Sequence, residues 1–199
     1  MAKVLIATLW NPDAVLLASH RLGPDRLFLL TDKTPEKKQQ ESFKLIKDSL
    51  GRVIDIKEVK TEVYDVVSVA EKCVELIDSQ PKEDIIYVNI TSGRKTKALG
   101  LLYAAYCRLN KVKKIAYNPE EDPKQVVYLP KLGFHLSESQ KNILQAVDTV
   151  KYTSATELAE KLDMSRAMFY RAIEELRQLG YLETEEGYKL TDAGRIARL

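Results

Sequence analysis

The chain has 199 residues, 45% of them apolar, and a formal net charge of +2, enough for a medium domain and a small one with a real core. Residues 1–135 carry 22 Lys/Arg against 18 Asp/Glu and residues 136–199 carry nine against eleven, which excludes a basic tail that grips nucleic acid by bulk charge. No leader peptide or membrane-length apolar run appears, and two isolated histidines (His20, His135) and two cysteines at helical apolar positions (Cys73, Cys107) form no zinc or disulfide pattern, so the expectation is a soluble, cytoplasmic protein without a metal.

Lys3–Trp10 is a continuous apolar run, which predicts a central parallel strand buried on both faces. Asn11-Pro12 supplies a cap and a first-turn proline for a helix reaching Leu22, with Val15, Leu16 and Leu22 inward and Gly23 at its end. Arg26–Thr31 reads as a second strand. Thr34-Pro35 opens a helix that turns Phe43, Ile46 and Leu50 inward and stops at Gly51. Arg52–Val59 alternates like a third strand, and Thr61–Ser79 keeps helical spacing through Val63, Val66, Val67, Ala70, Val74 and Ile77.

Ile85, Ile86, Val88 and Ile90 then mark a buried fourth strand that stops at Thr91-Ser92-Gly93, where the glycine permits a sharp turn. Arg94, Lys95 and Lys97 crowd the start of a helix over Thr96–Leu109, whose N-terminal amides point back at the loop. Cations there are unfavourable without an anion, so the geometry suits a phosphate. Lys113–Tyr117 and Gln125–Leu129 complete the region as short strands around an Asn118–Pro123 turn.

This alternation predicts an α/β fold, a Rossmann-like doubly wound parallel sheet, with ligands at the carboxyl ends of the strands. The loops after the first and fourth strands qualify. No G-x-G-x-x-G follows the first strand, and Gly93-Arg94-Lys95-Thr96 is not a P-loop. In Ala98–Leu109 apolar residues cover almost the whole circumference, which predicts a second copy against the outer face and hence a homodimer.

After the connector at Pro130–Leu136 the grammar changes to short capped helices, which sets the expected domains at 1–130 and 137–199 with a linker at 131–136. Ser137-Glu138-Ser139-Gln140 is a capping box, Ser154-Ala155-Thr156-Glu157 opens a second helix, and Ser165 caps a third with Phe169, Ile173 and Leu176 inward. A hairpin around Glu185-Glu186-Gly187 follows. This is the plan of a C-terminal winged helix-turn-helix, with Ser165, Arg166, Ala167, Tyr170 and Arg171 placed for DNA. The acidic wing, Glu183, Glu185 and Glu186, keeps a protein-contact adaptor open.

With NITSGRKTK at Asn89–Lys97 and SATELAEKLDMSRAMFYRAIEELRQLGYL at Ser154–Leu182, the chain resembles the archaeal CRISPR-associated transcription regulators that join a CARF (CRISPR-associated Rossmann fold) domain to a winged helix. The resemblance implies a homodimer that binds cyclic oligoadenylate, most often the tetramer, across its twofold axis and binds a palindromic DNA operator. It implies no cofactor. Thr91, Ser92 and Gly93 would supply backbone and hydroxyl donors, and Arg94 and Lys95 phosphate partners. Thr8, Leu9, Trp10 and Asn11 would form the opposing wall, with Asn11 reading an adenine edge or a ribose hydroxyl. Ser92-Gly93 stands where the family often has Gly-Gly. The rival reading is a metal-independent ring nuclease using Ser92 and Lys95, slow for want of a general base. The Arg-x(4-6)-His motif of the family's ribonuclease effectors is absent around His20 and His135.

Overall fold

Strand and helix alternate through the first part of the chain as β1 (Lys3–Thr8), α1 (Pro12–Leu22), β2 (Arg26–Asp32), α2 (Lys37–Leu50), β3 (Asp55–Thr61), α3 (Val66–Asp78), β4 (Ile85–Asn89), α4 (Lys95–Cys107), β5 (Val112–Tyr117) and β6 (Val127–Tyr128). This computed structural model describes residues 1–130, 136–149, 155–185 and 187–199. Contacts divide the chain into two units, Met1–Gly133 and Phe134–Leu199. The expected linker up to His135, the cap residue Ser154 and Glu186 of the wing lie outside the described residues.

The sheet of the first unit has the order β3-β2-β1-β4-β5-β6. The first five strands are parallel, and β6 joins the edge antiparallel to β5. β1 is buried from Val4 to Thr8, as a strand covered on both faces must be. Leu5, Ala7, Leu27 and Leu29 point to one face, where Val15, Ala18 and Ile46 of α1 and α2 cover them. On the other side α3 and α4 pack on each other so closely that a Cβ added to Gly100 would lie 2.5 Å from Val69 Cγ1.

The order reverses between β1 and β4. That reversal is the switch point at which an open α/β sheet leaves a crevice outside the carboxyl ends of its strands, because the two flanking helices depart to opposite faces.

Several boundaries differ from the sequence expectation. β3 starts at Asp55, not Arg52, and runs on to Thr61, which pairs with Asp32. α3 therefore starts at Val66, capped by Asp65, whose carboxylate accepts from Ser68 N at 3.0 Å. α2 starts at Lys37, and β1 ends two residues before Trp10. Cys73 is buried in the core, whereas Cys107 is only partly so. Burial pushes the Cys73 thiol up to about 12 against the pull of the Lys97 charge, and Cys107 to about 11, so both are inert at neutral pH.

The second unit consists of α5 (Glu138–Thr149), α6 (Ala155–Lys161), α7 (Arg166–Gln178), the hairpin β7 (Leu182–Glu183) and β8 (Lys189–Leu190), and an unexpected α8 (Asp192–Ala197). The predicted capping box is present in both directions. Gln140 N donates to Ser137 Oγ at 3.2 Å, and Ser137 N to Gln140 Oε1 at 2.9 Å. Ile143, Leu144, Leu158, Phe169, Ile173, Leu176 and Leu182 form the core, with Tyr188 edge-on to Phe169 at 5.9 Å. No helix among the described residues is long and apolar enough to cross a membrane.

Candidate functional site

The β1–α1 and β4–α4 loops meet at the switch point, and Ser92 joins them. Its hydroxyl accepts from Trp10 N at 2.9 Å and Asn11 N at 2.8 Å and donates to Asn11 O at 3.2 Å. These contacts spend the hydroxyl on holding the first loop in place. Gly93 lies at φ 97°, and a Cβ there would come within 3.4 Å of Leu9 O and Thr8 Cβ. Only glycine takes that conformation comfortably while letting the two backbones approach.

Thr91 faces a third segment through Asn118. Asn118 N donates to Thr91 Oγ1 at 2.9 Å, and Thr91 Oγ1 donates to Asn118 Oδ1 at 3.1 Å. The same Oδ1 accepts from Asn89 Nδ2 at 3.0 Å. Asn118 Nδ2 donates to Pro123 O and Gln125 O at 3.1 and 2.9 Å, tying down the segment before β6. This buried amide shapes the cleft as much as the loops do. The sequence marked it only as the first residue of a turn.

Between these segments lies a cleft of about 370 Å³ lined by Trp10, Asn11, Lys38, Thr91, Gly93 and Asn118 among others, a size typical of small-molecule sites. The first turn of α4 has no side-chain cap and no acidic residue of its own at its positive dipole end. Asp13 and Glu120 also line the cleft. Carboxylates there suit hydroxyl or amino donors of a ligand, and Lys38 suits its anionic groups.

The cations of the basic stretch divide into two kinds. Lys95 is exposed at the start of α4. Lys97, by contrast, is fully buried, its Nζ 2.8 Å from Asp32 Oδ1, 2.9 Å from Thr61 Oγ1 and 3.1 Å from Glu62 O. Arg94 Nε pairs with the second Asp32 oxygen at 3.0 Å, its Nη2 pairs with Glu36 at 2.8 Å, and its guanidinium lies 5.5 Å from the Trp10 ring. Burial by itself would raise the Asp32 carboxyl, but hydrogen bonds from Lys97 and Arg94 prevail and hold it below the usual carboxylate range. Asp32, at the carboxyl end of β2, thus anchors two residues of the basic stretch. Sequence reading missed it because the partners are more than sixty positions apart.

On the opposing wall, Trp10 and Asn11 line the cleft, with Lys38 Nζ 6.0 Å from the Trp10 ring. Leu9 is buried in the core and contributes its carbonyl, which accepts from Gln39 Nε2 at 2.7 Å. Thr8 is also buried, with no hydrogen-bond partner for its hydroxyl.

In the second unit, Ser165 caps α7 by accepting from Met168 N at 3.3 Å. Arg166, Ala167, Tyr170 and Arg171 are exposed on the first two turns, Arg171 paired with Glu175 at 3.0 Å. Met168 in the same two turns is also exposed.

Residues 3–122 match the family model described as HFX_2341_N-like, N-terminal, and residues 139–189 match one described as an HTH domain. Among solved structures, Can2 from Sulfobacillus thermosulfidooxidans in complex with cyclic tetra-adenylate is similar at a TM-score of 0.52 and 16% identity, over 98% of this chain and 63% of that one. Enterococcus italicus Csm6 bound to cyclic hexa-2'-fluoro-hexa-dAMP gives 0.52 and 15%, over 92% and 56%. A type III CRISPR defence DNA nuclease activated by cyclic oligoadenylate gives 0.51 and 14%, over 89% and 30%. The chain spans less than two thirds of the length of each, and at such identities the likeness is one of fold. No curated protein matches the sequence. The chain belongs to the HFX_2341_N-like family, and it joins a Rossmann-like α/β fold, similar to that of these structures, to a C-terminal helix-turn-helix domain.

Proposed function

We propose that the protein is a dimeric, ligand-responsive transcription regulator of CRISPR defence. Cyclic oligoadenylate, in the first instance the tetramer, occupies the switch-point cleft of two chains and changes the affinity of two winged helices for a palindromic operator. The observation that carries this reading is the convergence of Trp10-Asn11 and Thr91-Ser92-Gly93 around an uncapped helix N-terminus, in a chain that also contains a helix-turn-helix domain. Structural neighbours in complex with cyclic oligoadenylates support the choice of ligand.

Dimerisation uses α4. Leu99, Leu102, Tyr103 and Tyr106 recur at helical spacing on the face turned away from the buried Gly100, Leu101, Ala104 and Ala105, and Leu99 is 45% exposed. A twofold dimer places two identical clefts against a ring that has its own twofold axis. Regulation is favoured over ring cleavage because the Ser92 hydroxyl is committed to the backbone of residues 10 and 11.

The test is selection of bound DNA from a random duplex pool, with and without cyclic tetra-adenylate, using the unmodified chain and the Arg166→Ala and Arg171→Ala variants. Enrichment of one palindrome that depends on the ligand and on either arginine supports a regulator. Equal recovery by all three proteins would favour a protein-contact adaptor.

A further inference from the structure

The loop between β3 and α3, residues 62–65, plays no part in the sequence-based site, yet the basic stretch holds it at successive positions. Lys97 Nζ donates to Glu62 O at 3.1 Å, and Thr96 Oγ1 donates to Val63 O. Arg94 Nη1 reaches Tyr64 OH at 3.4 Å, and Asp65 closes the loop as the cap of α3. At the tip of this anchored loop stands Tyr64, 80% exposed and the most exposed aromatic among the described residues.

A lone exposed aromatic needs no explanation in itself. Tyr64 differs because its ring is oriented. The Arg94 guanidinium lies 5.7 Å from the Tyr64 ring and 5.5 Å from the ring of Trp10, which lines the cleft, and two carboxylates hold that guanidinium in place. A cation therefore backs an aromatic ring whose outer surface is left to solvent. Such a ring offers stacking area at little cost in lost freedom, because the loop that carries it is already anchored and its hydroxyl and ring already contact Arg94.

We propose that Tyr64 is a ligand-binding residue, a stacking platform for a purine base of the nucleotide held at the switch-point cleft; this rests on the nucleotide reading of that cleft. Arg94 acts here as a positioning residue, fixing the ring and polarising it from behind. Stacking on a flat π-face accepts either purine, so the platform adds affinity without choosing the base. Base choice stays with polar groups in the cleft.

The test is calorimetric titration of cyclic tetra-adenylate into the unmodified chain and the Tyr64→Phe and Tyr64→Ala variants, with thermal unfolding alongside. The exposed side chain makes both variants safe to fold, so their melting midpoints stay unchanged. Tyr64→Phe should bind within about twofold of the unmodified chain, and Tyr64→Ala about tenfold or more weakly, as loss of one stacked base requires. Equal affinity of the alanine variant would overturn the proposal while leaving the nucleotide reading intact. An equal loss in both variants would replace stacking with a role for the hydroxyl. An unmodified chain that binds no ring would overturn both readings together.

Discussion

Lys97→Met is the perturbation that most sharply separates a structural cation from a ligand-binding one. The ammonium is 0% exposed, is ion-paired with Asp32 Oδ1 at 2.8 Å and donates hydrogen bonds to Thr61 Oγ1 and Glu62 O. Methionine keeps most of the apolar stem and removes the ion pair and both hydrogen bonds. Asp32, 1% exposed, is then left with Arg94 alone, whose side chain is 29% exposed and shared with Glu36. Breaking a buried pair from one side costs about 3–5 kcal/mol, and the remaining arginine places this case at the low end, about 3 kcal/mol. Trp10 is the only tryptophan, so its fluorescence follows unfolding of the first unit in urea. With a urea slope of about 1–3 kcal/mol per molar, the midpoint falls by about 1 M or more. Asp32→Asn should cost a similar amount, and the double variant less than the sum of the two because the partners are in contact. A Lys97→Met chain that unfolds within about 1 kcal/mol of the unmodified one, yet binds nucleotide poorly, would refute this assignment and give Lys97 a role toward the ligand.

Gly100→Ala should destabilise by about 1–2 kcal/mol despite the better helix propensity of alanine, because the added methyl meets Val69 Cγ1 at 2.5 Å and Val69 Cβ at 2.7 Å; Val69→Ala in the same chain removes only the Cγ1 contact and leaves Cβ in place, so it should recover only part of the loss in urea unfolding. Ser92→Ala leaves the Trp10 and Asn11 amides without their acceptor and should cost about 1–3 kcal/mol, with a shifted Trp10 emission as the first loop loosens. Asp32 has a folded pKa below its unfolded value of about 3.9, so its contribution is complete above that value and disappears as pH falls through the folded one. The melting midpoint should therefore hold between pH 7 and about 5 and drop below about 4, more gently in Asp32→Asn; an equally steep drop in that variant would assign the acid transition elsewhere. Leu102→Glu places a charge on the outer face of α4 and should yield monomers by light scattering, and a variant that stays dimeric would move the interface to another surface.

What was legible in the sequence was local. The β1 run, the Asn11-Pro12 start of α1 and the capping box at Ser137 each depend on neighbours within a few positions; the capping box appears as read, β1 appears but stops at Thr8, and α1 starts at Pro12 although the Asn11 side chain makes no cap bond. The order of the winged helix was legible for the same reason, since caps and apolar spacing recur within each short helix. The shared cluster of Arg94, Lys97 and Asp32 was not, because a cation on a loop looks alike whether it faces water, a ligand or a distant carboxylate. Asn118 carries no signal of its own either: an Asn-Pro pair marks a turn, and its bonds to Asn89 and Thr91 exist only after β4 and β5 pair. Thr61 shows the same limit at a boundary. Its apolar-spaced context extended a helix too far back, and sheet pairing with Asp32 claimed the residue for β3.

The central claim is a nucleotide pocket completed by two chains, and calorimetric titration of cyclic tetra-adenylate measures it directly through stoichiometry. One ring per two chains, with the ring recovered intact by mass spectrometry, is the predicted result. One ring per chain, or no heat at protein concentrations that support the dimer, would contradict it.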